Sequence, residues 1–179
     1  MFEINRSGKL SVRYNDDSVL ENHHSARAFQ IISQKDFNIF ENMHQNNFPS
    51  FRKFVIRSIL STDIKKHFTE LAIFKDKLDN GDLNPFENSE NQDDFLLMIG
   101  IFIHCCDLYT PTLSVESSFM WSHRVNQEFQ MQSKHEAELG LPLTPFLIGL
   151  DDIKKVANSE KFFIKSIVKP LWLEMDRFL

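Results

Sequence analysis

The sequence predicts an all-α fold, and three observations carry that expectation. Apolar residues recur at three- and four-residue steps along most of the 179-residue chain. No segment of convincing length alternates apolar and polar residues as a half-buried strand does. The chain has only 5 Gly, which argues against dinucleotide-binding loops, phosphate loops and turn-rich barrels. A hydrophobic content of 42%, with 18 Phe, is enough to bury the core of one domain.

The elements follow in chain order. From Asp17 to Ile32, the residues Val19, Leu20, Ala26, Phe29 and Ile32 mark a helix, with Asp16 or Asp17 as its N-cap. Phe48 to Leu60 repeats the pattern, and Pro49 sits where a first-turn proline is tolerated. Ser61, Thr62 or Asp63 caps a third helix carrying Phe68, Leu71, Ala72, Phe74 and Leu78, which Asn80-Gly81 stops. Residues 80–92 are polar and turn-rich and read as a loop. Phe95 to Leu108 reads as a buried helix ending before Pro111. Val115 to Leu139 is a long helix of mixed charge that ends at Gly140. Residues 141–150 form a loop with two prolines. Asp151 to Leu179 is helical, with Ile164, Val168, Leu171, Met175 and Phe178 on one stripe and Pro170 as a kink or a division.

Composition narrows the function classes. The net charge of -5 gives no general attraction to nucleic acid. Cys105 and Cys106 are adjacent and are the only cysteines, so a disulfide scaffold is excluded and a reduced, intracellular, cytoplasmic and soluble setting is expected. Residues 1–15 hold no apolar stretch long enough for a signal peptide. The longest apolar run, Phe95 to Ile103, is about half of the roughly 20 residues that cross a bilayer, so no membrane span is expected.

Three polar groupings could carry chemistry. Glu21 and His24 are three apart on one helical face, where they either hold a metal and its waters or simply face solvent. Asp107 follows a strongly apolar helix and either ligates something or caps a turn before Thr110-Pro111. A second pair, Glu41 and His44, lies too close to the first for two long helices to bring both to one di-iron centre. Adjacent cysteines do not fit one tetrahedral zinc site.

In combination, these residues resemble a known family. Tyr14 to His24 (YNDDSVLENHH) is similar to the YNDxSVLENHH segment of the class I 3',5'-cyclic nucleotide phosphodiesterases. Ser61 to Phe68 resembles their ATDMxxHF segment, and Cys106 to Thr112 resembles ADLSNPTK. Trp121, Arg124, Val125, Glu128, Phe129 and Gln132 resemble WxxRVxEEFFxQGD, and Ser159 through Trp172 resembles SQVGFIxxxxxPLW. The five segments keep the family's order across nearly the whole chain.

The resemblance implies a multi-helix bundle, an incomplete phosphodiesterase-type (HD-domain-like) catalytic domain over 14–179, with 1–13 a remnant or disordered start. It implies metal-dependent hydrolysis of cAMP or cGMP with two divalent ions, zinc together with magnesium or manganese. By position, Asp107 would ligate metal directly, and Glu21, His24 and Thr62 would hold metal-bound waters. Val125 and Phe163 would clamp the purine, with Thr110, Trp121, Phe129 and Glu160 completing the nucleotide pocket.

The departures bear on activity. The family's HNxxH and HDxxH segments, which carry the general acid histidine and most metal ligands, have no counterpart among the 13 residues before Tyr14. No catalytic residue is therefore identified, and this chain alone is expected to be inactive. Thr110 stands where the family has Asn, Glu160 where it has Gln, and Ser133-Lys134 where it has Gly-Asp. A glutamine both donates and accepts, whereas an ionised glutamate only accepts. The alternative to a phosphodiesterase is a degenerate module that binds cyclic nucleotide or another partner without catalysis, or a plain helical scaffold. Apolar surface on the first helix and on Phe95 to Leu108 is expected to be exposed and to drive self-association.

Overall fold

A computed structural model describes residues 1–86 and 92–179, and every regular element among them is helical. Residues 1–13 form two short helices, α1 (Phe2–Asn5) and α2 (Lys9–Arg13). The first long helix, α3 (Val19–Ile32), starts where the sequence places it, but its cap differs from the expected Asp16 or Asp17. Ser18 occupies the N-cap position in a left-handed conformation (φ 39°) and makes no side-chain cap. Its hydroxyl instead donates to Asp63 Oδ2 at 2.8 Å. A buried carboxylate with few partners outcompetes a helix end that water can reach.

Helix α4 (Phe48–Leu60) carries Pro49 in its first turn. Of the three candidate caps after it, Asp63 is the one used, accepting from the Lys65 N–H at 2.9 Å. It caps a single 3-10 turn (Ile64–Lys66), and α5 (His67–Asn80) follows directly. Gly81 then ends α5 with φ 68°, a left-handed position that glycine takes without steric cost. The loop expected over 80–92 falls partly outside the described residues.

Helix α6 (Gln92–Asp107) is the centre of the fold. Leu97, Ile101 and Cys105 pack with Leu71 and Phe74 of α5 and with Leu171 and Met175 of α9 (Lys169–Phe178). On another side, α4 lies against α6, and Ser61 Oγ donates to the Gly100 carbonyl at 3.1 Å. A Cβ at position 100 would stand 3.1 Å from the Ser61 Cβ, so this approach leaves almost no room for a side chain. The expected exposure of Phe95 to Leu108 is therefore not found. Leu96, Leu97, Met98 and Ile101 are buried because α4, α5 and α9 cover the helix, and Phe102 is its large exposed exception. Exposure on the first helix is found at Leu20 and Ile31.

Helix α7 (Val115–Glu138) is capped by Ser114, which accepts from the Ser117 N–H. Near its far end the buried Glu136 accepts from the Thr144 N–H at 2.9 Å and from the Gln132 amide at 2.7 Å. This ties the two-proline loop back onto α7. Helix α8 (Ile153–Phe163) runs on through a π-helical turn (Ile164–Val168) into α9. Pro170 divides the segment in this way. Proline has no N–H to give the carbonyl four residues back, and the widened turn uses a five-residue bond, Lys169 N–H to the Ile164 carbonyl. The widening also shifts the apolar phase. Ile164, expected on the buried stripe, is 41% exposed, while Ile167 is 8% exposed.

His67 and His104 meet in the interior, with His67 Nδ1 and His104 Nε2 3.0 Å apart. Their other ring nitrogens are buried without a protein partner. Burial lowers the pKa of both; the neighbouring His104 lowers His67 further, and Glu70 pulls His104 the other way. Histidine in an unfolded chain titrates near 6.5. Above that pH both states are neutral at these rings and stability is complete. Below it the unfolded chain takes up protons that the folded chain resists, so stability falls. Thermal melting between about pH 7 and about pH 5 should show a falling midpoint, and replacing both rings by Gln should flatten that slope. A flat wild-type profile would refute this account.

Candidate functional site

Two groups of candidate residues emerge. The first is spread over α3, the 61–63 turn and the last residue of α6. Ser61 is fixed to α6 through the Gly100 carbonyl, and Asp63 is fixed to α3 through Ser18. Thr62 is held between those two anchors, and its own hydroxyl donates to the Ile59 carbonyl at 2.9 Å. Glu21 is half-buried and His24 exposed, one helical turn apart on α3. Asp107 is the last residue of α6 and is exposed, yet the protein around it thins its hydration, and that desolvation raises its carboxyl pKa.

Among the described residues, no hydrogen bond or ion pair joins Glu21, His24 or Thr62 to Asp107. Nor do any three His, Cys, Asp or Glu side chains there converge as metal ligands do. The donor set present does not fit a binuclear centre, and no chemical step is derived through one. Glu41 lies in a turn, and His44 accepts from the Asn46 N–H, so this pair is not on a helix at all. The Cys105 thiol is pushed up to about 12 by burial and by the neighbouring Cys106, which makes it inert as a ligand or nucleophile.

The second group lies on α7 and α8. Ser122 Oγ donates to Glu160 Oε1 at 2.6 Å, and the Asn126 amide donates to both the Ser122 carbonyl (2.8 Å) and its hydroxyl (3.2 Å). This bond across 38 positions holds α8 against α7. Trp121 and Val125 are partly open on α7, and the Arg124 guanidinium stacks 5.5 Å from the Trp121 ring. Phe129 meets Phe146 edge-on, with centroids 5.9 Å apart at 76°. On α8, Phe163 is half-buried near Glu160, while its neighbour Phe162 turns to solvent at 63% exposure.

A short connection links the two groups. After Asp107 the chain makes a 3-10 turn (Thr110–Thr112), and Ser118 Oγ of α7 donates to the Thr110 carbonyl at 2.8 Å. Thr110 is thus anchored one helical turn before Trp121. Sequence reasoning missed Ser122, whose role depends on a partner 38 positions away. It also missed the bond from Ser18 to Asp63, although Asp63 itself is among the expected caps.

The helical bundle is that of a cyclic nucleotide phosphodiesterase-type domain. The family model for 3'5'-cyclic nucleotide phosphodiesterase matches residues 1–179, and the chain belongs to that family. It is 36% identical over 171 residues to the human high affinity cGMP-specific 3',5'-cyclic phosphodiesterase 9A, covering 96% of this chain and 28% of that protein. It is 34% identical to the 3',5'-cyclic-nucleotide phosphodiesterase regA of Dictyostelium discoideum, covering 99% of this chain and 22% of that protein. Among solved structures, the phosphodiesterase domain of the RhoPDE fusion protein from the choanoflagellate Salpingoeca rosetta superposes with a TM-score of 0.91 at 37% identity. That match covers 98% of this chain and 55% of the other. The chain therefore spans about a quarter of these curated relatives and about half of that solved domain. The family implies dependence on divalent metal ions in general. Among the described residues no helix is long and apolar enough to cross a membrane.

Proposed function

We propose that this chain supplies the purine-binding side of a 3',5'-cyclic nucleotide phosphodiesterase domain. The observation that carries the reading is the Ser122–Glu160 hydrogen bond. It holds together the two helices bearing Val125, Phe129 and Phe163, the residues suited to sandwich a flat heterocycle. Trp121 lies one turn before Val125 on α7, and Thr110 is tied to the same helix through Ser118. Asp107 is the one direct metal ligand this chain offers, and Glu21, His24 and Thr62 are suited to hold metal-bound waters. A complete centre of zinc with magnesium or manganese would need further ligands.

The absence of a converging donor set among the described residues supports a second reading, a module that binds cyclic nucleotide without hydrolysing it. Turnover separates the two. The purified 179-residue chain, supplied with zinc and magnesium, is expected to release no 5'-nucleotide above an Asp107→Ala control. Metal-dependent turnover above that control would overturn the expectation and restore catalysis to the chain itself.

Glu160 tests the purine side directly. One of its oxygens already accepts from Ser122, and neither oxygen donates. Guanine offers adjacent N–H donors on one edge, whereas adenine sets a ring acceptor beside its amino group. Glu160→Gln restores a donor and should tighten cAMP more than cGMP in calorimetric titration, by about tenfold in relative affinity. Equal shifts for both nucleotides, or no heat with either, would remove Glu160 from the pocket.

The same reading includes self-association. Val115 and Phe119 on α7 are 81% and 70% exposed, Phe146 against Phe129 is 64% exposed, and further exposed apolar residues lie on α3. Sedimentation velocity should show dimers or larger species that grow with concentration. A single monomeric boundary at all concentrations would contradict it.

A further inference from the structure

Helices α8 and α9, with the π turn between them, carry a row of lysines that the purine-side reading does not use. Lys154, Lys161, Lys165 and Lys169 are spaced seven, four and four apart, which keeps them on one face. All four are exposed, and among the described residues none of the four ammonium groups has an ion-pair partner. The opposite face holds Val156, Glu160, Phe163, Ile167 and Leu171, each buried or half-buried. From Ile153 to Leu173 there are five lysines, and the one acidic residue, Glu160, is turned inward to Ser122. This segment is therefore basic in a chain whose net charge is -5, with Asp151 and Asp152 just before it and Glu174 and Asp176 just after it.

Apolar side chains flank the row. Ile153 is 71% exposed, Phe162 63% and Leu173 52%, and the row itself runs about 22 Å along an outward ridge of the helices.

We infer that this ridge docks onto an anionic lipid surface. The charge pattern and the flanking residues favour that partner over others. A planar bilayer meets a straight row of cations along its whole length, and each basic side chain near an anionic membrane gains from the surface potential. Phe162 and Leu173 can enter the headgroup boundary, as apolar residues on interfacial helices do. A nucleic acid would meet the same row, but its phosphate backbone offers nothing for the exposed Ile153, Phe162 and Leu173 to enter. An acidic peptide would be better served by a groove than by a ridge.

The inference is independent of catalysis and of the purine pocket. It is tested by co-sedimentation of the full chain with vesicles of equal parts phosphatidylcholine and phosphatidylserine, against vesicles of phosphatidylcholine alone. Binding is expected to the mixed vesicles only, and it should weaken as salt is raised. The double variant Lys161→Gln, Lys165→Gln should lower the partition coefficient about tenfold or more. Phe162→Ser should weaken binding while leaving the salt dependence in place. Circular dichroism confirms that the variants remain folded, which these exposed positions permit. Equal binding to both vesicle types, or binding unchanged in the double lysine variant, would overturn the inference. Capture by a polyglutamate peptide without vesicle binding would also overturn it and assign the ridge to an acidic protein partner.

Discussion

Helix α6 is apolar on every side from Phe95 to Ile103, and a helix of that kind has to be covered all round. Much of the structure follows from that requirement. Helices α5 and α9 cover one flank through Leu71, Phe74, Leu171 and Met175, and α4 covers another. Gly100 lets Ser61 approach closely enough to bond to its carbonyl. That bond fixes the 61–63 turn, which in turn fixes Ser18 and the start of α3 through Asp63. Polarity returns only at the last turn of α6, with His104 inside against His67 and Asp107 outside. Asp107 thus stands where the buried helix surfaces.

Beyond Asp107 the chain builds a second unit around α7 and α8. Here packing is thinner, and hydrogen bonds carry more of the definition. Glu136 closes the two-proline loop onto α7, Gln130 donates to the Leu150 carbonyl at 2.6 Å, and Ser122 holds Glu160. Glu136 illustrates how a buried carboxylate is kept ionised. Burial alone would raise its pKa, but the bonds from Gln132 and from the Thr144 N–H and hydroxyl outweigh that and lower it.

Much of this was legible in the residues. Helix positions followed from apolar spacing, and Gly81 and Gly140 stop their helices with positive φ as left-handed glycines do. What spacing could not give was anything set by a distant partner. The cap of α3 was misassigned because Ser18 answers to Asp63, 45 positions away. Ile164 was misassigned because the π turn before Pro170 changes the helical period for one turn. Exposure of Phe95 to Leu108 is expected because the resemblance packs it against helices that precede Tyr14, whereas α4, α5 and α9 of this chain cover it. At the candidate site the residue types were readable one by one through the family resemblance. The Ser122–Glu160 bond was not, since a serine at that position carries no signal of its own.

The two candidate groups differ in how far this chain can support them. The purine side draws on α7 and α8, which meet through a direct side-chain bond and carry Val125, Phe129 and Phe163 on their own surfaces. Its geometry depends on contacts between residues that are all in the chain. The metal side has its frame, because Ser61, Asp63 and Ser18 fix the backbone around Thr62. Its donors are spread over α3, the turn and α6 without converging, and Asp107 resists ionisation as an isolated, partly desolvated carboxylate does. In the reading proposed, the nucleotide-facing and metal-facing residues divide at the connection between Asp107 and Thr110.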